Sequence, residues 1–318
     1  MTVLYIVGAI LVALMLWTQK MSRDANHTVP QVGKLHVVKG GAIHYLDMGP
    51  KDAQTLVMIH GLAGTLQHFT YALSDLLKDD YRLIIVDRPG CGYSERDSDS
   101  DAAFAVQARM IGEFLDDIGV ENPVLVGHSL GGAVSLAMAL DRPDKTAALA
   151  LVAPLTHPVT VTATTFKGLE VASPKLRRVL GFTIAGPMTK LSTRIFLKEA
   201  FSPEPYPADF FERSGSALGL RPRGYIAASA DMMVEREVSP SQNSRYADEL
   251  RTPGGVLYGS GDALLPAGEQ GRVMSEFGLF YEELEGRGHM LPFTAAAETA
   301  DFIRRVAKMG AKDPVKNG

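Results

Sequence analysis

The sequence predicts an α/β fold, in which a mostly parallel central sheet carries helices on both faces and is interrupted by one helical insertion. Three observations indicate this architecture. Short apolar runs alternate with helical segments along the chain. The alternation stops after Pro154 and resumes at Val256. An uncharged apolar run, residues 3–17, precedes all of it and predicts a separate N-terminal helix.

The short apolar runs have the length of buried strands, and the segments between them have helical spacing. Strands that alternate with helices form a mostly parallel sheet with both faces covered. The predicted strands are residues 35–38, 42–46, 56–59, 83–86, 124–126, 147–152, 256–258 and 279–284. The predicted helices of this part are residues 69–77, 104–118, 131–140, 270–277 and 295–309.

These patterns divide the chain into an N-terminal helix, a tether, a core and an insertion. Residues 1–20 form the helix, and the polar residues 21–32 form the tether. Residues 33–154 and 246–318 form the α/β core. Residues 155–245 form the helical insertion, because they contain amphipathic stretches and repeated prolines but no clear buried strand.

The composition narrows the classes of function. Apolar residues make up 46% and charged residues 21% of the 318 residues, which is ordinary for a globular enzyme. The formal net charge is −4, so no basic surface indicates a nucleic-acid partner. Cys91 is the only cysteine, which excludes an intramolecular disulfide and a cysteine-based metal site. We expect no metal and no cofactor, and we interpret Cys91 as a small loop residue.

The N-terminal helix has the composition of a membrane anchor. Residues 1–19 would extend about 28 Å as a helix, and a bilayer core is about 30 Å thick. Trp17 suits the membrane interface, and Lys20 and Arg23 favour a cytoplasmic catalytic domain. A cleaved signal peptide, which would leave a secreted or periplasmic protein, and a helix of a soluble domain are the alternatives.

A glycine-bounded serine follows the predicted strand 124–126. Residues 127–131 read Gly-His-Ser-Leu-Gly, and a helix rich in small residues comes next. A strand, a sharp turn and a helix in this order predict a strained turn that exposes Ser129 as a nucleophile. Positions 127 and 131 are glycine, and we expect that a side chain at either position would clash with the neighbouring chain.

A serine hydroxyl needs a base, and the base needs an acid that orients it. His289 lies in a glycine-rich loop after the last predicted strand, and we predict that it is the base. The other seven histidines lie in less suitable places, and we expect His128 to point away from the site. Asp262, which follows the strand 256–258, is the predicted acid, with Asp231 and Asp248 as rivals.

Two backbone amides are predicted to form an oxyanion hole, which binds the negative oxygen of a tetrahedral intermediate. One is the N–H of Leu130, the residue after the nucleophile. The other is the N–H of Leu62, since His60-Gly61 ends a buried strand and leads into a loop.

Taken together, these residues resemble the α/β-hydrolase superfamily, in its lid-bearing serine esterase and lipase branch. The resemblance covers residues 33–308. In the family, haloalkane dehalogenases and epoxide hydrolases use an aspartate nucleophile, where this chain has Ser129. The resemblance to the superfamily rests on residues 60–61, 87–94, 127–131, 261–262 and 288–289. It implies a structural role for Asp87.

The expected activity is hydrolysis of a carboxylic ester through an acyl-enzyme, with an apolar small-molecule ester of unspecified acyl length as the substrate. The insertion is expected to form a lid whose apolar side chains reach the site: Phe166, Phe182, Phe196, Phe210 and Met232. Hydrolysis of a C–C bond by the same residues is an alternative. A membrane-tethered ligand-binding protein that keeps the fold is an alternative of another class.

Overall fold

The computed structural model describes residues 1–159 and 164–310, and in this part of the chain nine strands form one sheet. The order across the sheet is β1-β2-β4-β3-β6-β7-β8-β9, and β5 pairs with β2. The strands from β4 to β9 along this order are parallel, whereas β1, β2 and β5 pair antiparallel. The prediction of a mostly parallel sheet is therefore confirmed. The strands are β1 Lys34–Val38, β2 Gly41–Met48, β3 Thr55–Ile59, β4 Arg82–Val86, β5 Glu95–Arg96, β6 Val124–His128, β7 Ala148–Val152, β8 Gly254–Gly259 and β9 Phe280–Leu284.

The central strands are buried on both faces, as expected for continuous apolar runs in a parallel sheet. Val57 and Ile59 of β3 face one layer of helices, and Leu56 and Met58 face the other. Thirteen α-helices occur in the described residues: α1 Thr2–Thr28, α2 Gln67–Thr70, α3 Leu73–Leu77, α4 Phe104–Asp117, α5 Leu130–Asp141, α6 Pro174–Leu180, α7 Gly186–Ala200, α8 Phe210–Arg213, α9 Pro222–Asn243, α10 Tyr246–Glu249, α11 Ala267–Gln270, α12 Leu291–Thr294 and α13 Ala296–Gly310.

The layer of helices on one face of the sheet comprises α4 and α5, and the layer on the other face comprises α3, α12 and α13. Between β7 and β8 the described residues contain helices and no strand. A π-helical segment, Gly181–Ala185, joins α6 to α7. This helical insertion lies at the carboxyl ends of the strands, which is the edge where sites form in open parallel sheets.

The N-terminal helix is longer than the sequence predicted. The segment 21–32 was expected as a tether, but α1 continues through it to Thr28. Met21, Ala25 and Val29 recur every four residues, so they lie on one side of the helix. Their side chains are buried, and Ala25 and Val29 pack against the insertion. The tether prediction failed because this short apolar stripe acquires a partner only in the folded chain.

Polar contacts also hold the second half of α1 against the folded protein. The hydroxyl of Thr18 donates to the carbonyl of Thr183 at 2.6 Å. The phenol of Tyr93 donates to the carbonyl of Val29 at 2.6 Å. In contrast, the first half of α1 is mostly exposed and apolar. Within the described residues, α1 is the one helix that is long and apolar enough to cross a membrane. Signal sequences near an N-terminus meet the same criteria of length and composition.

Candidate active site

Ser129 occupies a strained turn between β6 and α5. Its backbone has φ 55° and ψ −125°, a conformation that residues other than glycine rarely adopt. Hydrogen bonds hold the turn: the N–H of Ser129 donates to Val152, and its carbonyl accepts from Gly132 and Leu155. Strain of this kind is found at functional sites, where the surrounding structure maintains it.

The two glycines of the motif are required by close approach. A Cβ at Gly131 would lie 2.0 Å from the carbonyl oxygen of Ile59. A Cβ at Gly127 would lie 2.6 Å from the hydroxyl oxygen of Ser135. Both distances are shorter than atoms tolerate, so the turn can bring Ser129 against β3 only with glycine at these positions.

His289 and Asp262 form a buried pair. Nδ1 of His289 lies 2.8 Å from Oδ2 of Asp262, and both side chains are at most 5% exposed. The other carboxylate oxygen of Asp262 accepts the N–H groups of Leu264 and Leu265 at 2.9 Å each. The carboxylate is therefore fixed on both sides, and it orients the imidazole so that Nε2 is the nitrogen left for chemistry.

The predicted site residues lie around one cavity between the core and the insertion. Ser129 and His289 both line it, and so do Leu62 and Leu130. The space between the atoms that line it, open solvent at its mouth included, is about 1000 Å³. Leu130 begins α5, where the backbone N–H has no acceptor within the helix and remains available to a ligand.

The loop that carries Leu62 is held by a buried arginine. The guanidinium of Arg88 donates to the carbonyl oxygens of His60 at 2.9 Å and Gly61 at 3.0 Å. With these two carbonyls directed at Arg88, the peptide plane that precedes Leu62 is fixed. The Leu62 N–H belongs to that same peptide plane, so Arg88 sets its direction.

Asp231 holds Arg88 in turn. One of its carboxylate oxygens lies 2.8 Å from Arg88 and the other lies 2.7 Å from Arg96, and the carboxylate is fully buried. Asp231 belongs to α9 of the insertion. It was a rival for the catalytic acid, and the structure instead pairs it with two arginines. Arg88 follows Asp87 in the sequence, but no local pattern indicated this contact.

The insertion also braces the loop of His289. Glu204 accepts a hydrogen bond from Arg287 at 2.7 Å and from the backbone N–H of Gly288 at 2.9 Å. The hydroxyl of Thr294 donates to the same carboxylate at 3.0 Å. Glu204 lies between α7 and α8, so the insertion contacts the loop of His289 directly and the loop of Leu62 through Arg88. Sequence reasoning missed Glu204, since it lies in a proline-rich segment without a motif.

Asp87 has buried structural contacts, as the resemblance implied. Its carboxylate accepts the N–H groups of Leu66 at 2.7 Å and Tyr93 at 2.8 Å, and it lies 2.7 Å from Nδ1 of His44. These contacts tie the loop after β4 to the loop after β3 and to β2.

Comparisons with known proteins agree with this fold. A family model described as alpha/beta hydrolase fold matches residues 54–296. This chain belongs to the α/β-hydrolase family. A curated relative, the 2-hydroxy-6-oxononadienedioate/2-hydroxy-6-oxononatrienedioate hydrolase of Paraburkholderia phymatum, is 33% identical over 41% of this chain and 48% of its own length. Haloalkane dehalogenase 2 of Mycobacterium tuberculosis is 34% identical over 33% of this chain and 36% of its own length.

Each of these matches spans less than half of the curated relative. Solved structures match over nearly the whole chain at lower identity. A thermophilic esterase from Thermogutta terrifontis covers 88% of this chain and 100% of its own, with a TM-score of 0.69 and 19% identity. A membrane phospholipase A, a bacterial virulence factor, covers 97% of this chain and 96% of its own, with a TM-score of 0.68 and 19% identity. At these identities the likeness shows the shared fold.

Two further histidines line the cavity of this α/β-hydrolase. Burial, followed by the nearby charge of Arg88, lowers the pKa of His68 to about 4. Burial, followed by the neighbouring His289, holds the pKa of His128 well below its usual value. His128 was expected to point away, but its Nε2 lies 3.2 Å from the carbonyl oxygen of His289. Both rings are neutral at physiological pH.

The apolar lining of the hydrolase cavity includes four of the five side chains expected from the insertion. Phe166, Phe196, Phe210 and Met232 line it. Phe182 does not, because it is 54% exposed on the outside of the insertion. Among the described residues that line the cavity there is no Lys, Arg, Asp or Glu. The cavity therefore suits an uncharged, apolar ligand.

The described residues contain no group of three or more His, Cys, Asp and Glu side chains placed to hold a metal ion. Cys91 is buried, and burial raises the pKa of its thiol to about 11. It is therefore a neutral thiol at physiological pH, whereas a nucleophilic cysteine reacts as the thiolate.

Proposed function

We propose that this hydrolase cleaves the ester bond of an apolar carboxylic ester through an acyl-enzyme on Ser129. The observation that carries the proposal is that a serine in a strained turn and a buried histidine–aspartate pair meet at one cavity, whose described lining residues include no Lys, Arg, Asp or Glu. A serine, a base and an orienting acid are the groups that acyl transfer requires.

In the first step, Oγ of Ser129 attacks the ester carbonyl carbon while Nε2 of His289 accepts the hydroxyl proton. The N–H groups of Leu62 and Leu130 bind the negative oxygen of the tetrahedral intermediate. The intermediate collapses, and the alcohol leaves with the proton from His289. Asp262 keeps the imidazole oriented and stabilises its charged form.

In the second step, water attacks the acyl carbon and gives a proton to His289. The second tetrahedral intermediate expels Oγ of Ser129, which regains that proton, and the carboxylic acid departs. Glu204 and Arg88 touch no reacting atom in this scheme. They hold the two loops in place, which matters because displacements of about 1 Å reduce rates strongly.

Hydrolysis of a C–C bond is the second candidate, since a relative at 33% identity bears the name of a hydrolase of a dienedioate. That name denotes a substrate with two carboxylates. The lack of Lys and Arg among the described cavity residues argues against a dianion here. It favours an uncharged ester. Halide removal needs an aspartate nucleophile by the family resemblance, and Ser129 stands at that position.

Labelling with a fluorophosphonate probe tests the nucleophile. Wild type and Ser129→Ala are compared, and both are also assayed with short-chain and long-chain p-nitrophenyl esters. We expect labelling and turnover in wild type and neither in the variant. A folded wild type that binds long-chain esters without labelling or turnover would overturn the proposal in favour of a ligand-binding protein. Acid and ketone products from a β-diketone, without ester turnover, would favour C–C cleavage.

We also propose that α1 anchors the hydrolase in a membrane, with the catalytic domain on the cytoplasmic side. The hydrogen bond from Thr18 to Thr183 supports an uncleaved helix, since it docks α1 directly after its apolar run, and the helix continues without a break to Thr28. Lys20 and Arg23 support the orientation. Intact mass of the membrane-extracted protein tests cleavage, and a reporter fused after residue 318 tests orientation. Loss of the first residues, or a reporter active only outside the cytoplasm, would contradict these two proposals respectively.

A further inference from the structure

The insertion carries a set of exposed apolar side chains on α6, the π-helical segment and α7. Isolated exposed apolar side chains are common, but a contiguous group marks a binding surface. We call this group the outer apolar face, and its residues are 50–74% exposed: Leu176, Val179, Phe182, Met188, Leu191 and Ile195.

Helix α7 separates this face from the cavity. Met188, Leu191 and Ile195 are spaced three and four residues apart, so they share one side of the helix. Phe196 and Leu197 lie on a different side and line the cavity that contains Ser129. One helix therefore has an apolar side towards the cavity and an apolar side towards the surroundings.

Basic residues accompany the outer apolar face. Lys190, Arg194 and Lys198 recur every four residues on α7 and are exposed. Residues 174–200 hold six basic side chains and one acidic side chain, although the whole chain has a net charge of −4. Arg177 is buried, and both it and Arg178 pair with Asp99, so the exposed cations outside these pairs are Lys175 and the three of α7. An amphipathic surface with Lys and Arg beside apolar side chains is the kind that lies in the interface of an anionic membrane.

The outer apolar face adjoins the exposed half of α1. Met15 and Leu16 of α1 line a groove together with Val179 and Phe182. The helix is continuous from Thr2 to Thr28 and is docked on the insertion by Thr18 within this groove and by Ala25 beyond it. The direction in which α1 leaves the protein is thus fixed relative to the outer apolar face.

We propose that the outer apolar face rests in the lipid interface of the membrane that holds α1, and that the ester enters the cavity from the bilayer. The inference rests on the proposed function and anchor, and it names the substrate class: an ester carried by a membrane lipid. Phe182 and Leu191, which are exposed to water in the isolated protein, are covered by acyl chains.

A fluorescent label on the outer apolar face tests its position. Since the native Cys91 is buried, Leu191→Cys accepts an environment-sensitive nitrobenzoxadiazole label on the full-length protein. Asp144→Cys is the matched control, exposed in the turn before β7 at the opposite edge of the sheet. Both proteins are reconstituted into phosphatidylcholine vesicles with and without phosphatidylglycerol, and with brominated lipid as a quencher.

We expect a blue-shifted emission and quenching by brominated lipid for the label at position 191, stronger with phosphatidylglycerol, and neither for the label at 144. Emission at 191 that matches the control would overturn the proposal. A blue shift that brominated lipid does not quench, and that grows with protein density, would also overturn it and indicate a second copy of the chain.

The rate of ester hydrolysis provides a second test of the proposal. In the double variant Leu191→Ser with Ile195→Ser, we expect hydrolysis of a vesicle-borne long-chain ester to fall about tenfold, from the apolar area no longer buried in lipid. Hydrolysis of soluble p-nitrophenyl acetate should be unchanged. Equal turnover of the vesicle-borne ester by both proteins contradicts the inference. A wild type without turnover of any ester contradicts the proposed function instead, and the fluorescence result still stands.

Discussion

The α/β core and the insertion differ in how far their apolar residues are exposed to solvent. The apolar residues of β3 and β4 are fully buried between two layers of helices. In the insertion, Phe182, Leu191 and Ile195 are more than half exposed, although the same segment lines the cavity from inside. Burial of its own apolar surface thus stabilises the core, whereas the insertion leaves part of its apolar surface exposed.

The two regions meet through buried charges and not only through apolar contact. Glu204 reaches from the insertion to the loop of His289, and Asp231 reaches Arg88, which holds the loop of Leu62. Such pairs depend on geometry, because a buried charge without its partner is strongly destabilising. The comparison suggests that the core supplies the reacting groups, and that the insertion holds their loops and supplies the apolar walls.

The largest expected effect belongs to the core. Replacing Asp262 by Asn should lower kcat for p-nitrophenyl esters by about 10⁴-fold, since the amide favours the wrong imidazole tautomer. The free energy of unfolding should change far less than catalysis. Steady-state kinetics and urea denaturation measure the two effects. Retention of more than a tenth of the wild-type kcat would remove Asp262 from the mechanism.

The next effect concerns the junction of the two regions. Asp231→Ala leaves the guanidinium groups of Arg88 and Arg96 buried without their carboxylate, and this should cost about 3–5 kcal/mol of unfolding free energy. Asp209→Ala is the control, because this insertion aspartate also contacts the core, through Tyr71, but it pairs with Tyr71 and Arg213 at the exposed surface. Denaturant titration should not separate the control from wild type. Similar results for both variants would mean that the buried cluster does not join the regions.

We expect acid to lower the free energy of unfolding through His68, which lines the cavity. The pKa of His68 is about 4 in the folded chain and near 6.5 in the unfolded chain. Between these values the unfolded chain binds more protons, so the free energy of unfolding falls as pH drops from 6.5 towards 4, by up to about 3 kcal/mol from this residue. Above pH 6.5 this residue contributes no pH dependence.

The variant His68→Gln should therefore lose less stability on acidification than wild type. Urea denaturation across this pH range gives the difference between the two proteins. His27→Gln, at an exposed position of α1, is the control and should follow wild type. Parallel curves for wild type and His68→Gln would show that His68 titrates normally in the folded state.

The smallest expected effect is in the insertion. In detergent, Ile195→Ala should change the free energy of unfolding by less than about 0.5 kcal/mol, because this side chain is 69% exposed. Ile303→Ala is the matched substitution in the core, on α13, where the side chain is fully buried. It should cost about 2–5 kcal/mol. Comparable losses would show that the outer apolar face is packed within the protein.

The sequence by itself determined the sheet, the turn at Ser129, and the candidates Asp262 and His289. Each of these depends on a local pattern: an apolar run marks a buried strand, and a polar residue directly after it lies at the edge where sites form. The same patterns placed Leu62 and Leu130 beside Ser129, and the structure brings all five residues to one cavity or its wall.

Only the tertiary structure decided how the rest of the chain uses its residues. The docking of residues 21–28, the pairing of Asp231 with Arg88, and the contact of Glu204 with the His289 loop join segments far apart in sequence. The direction of Phe182 out of the cavity belongs with them. A helical pattern shows that a helix has an apolar side, but what covers that side depends on which distant segments pack against it.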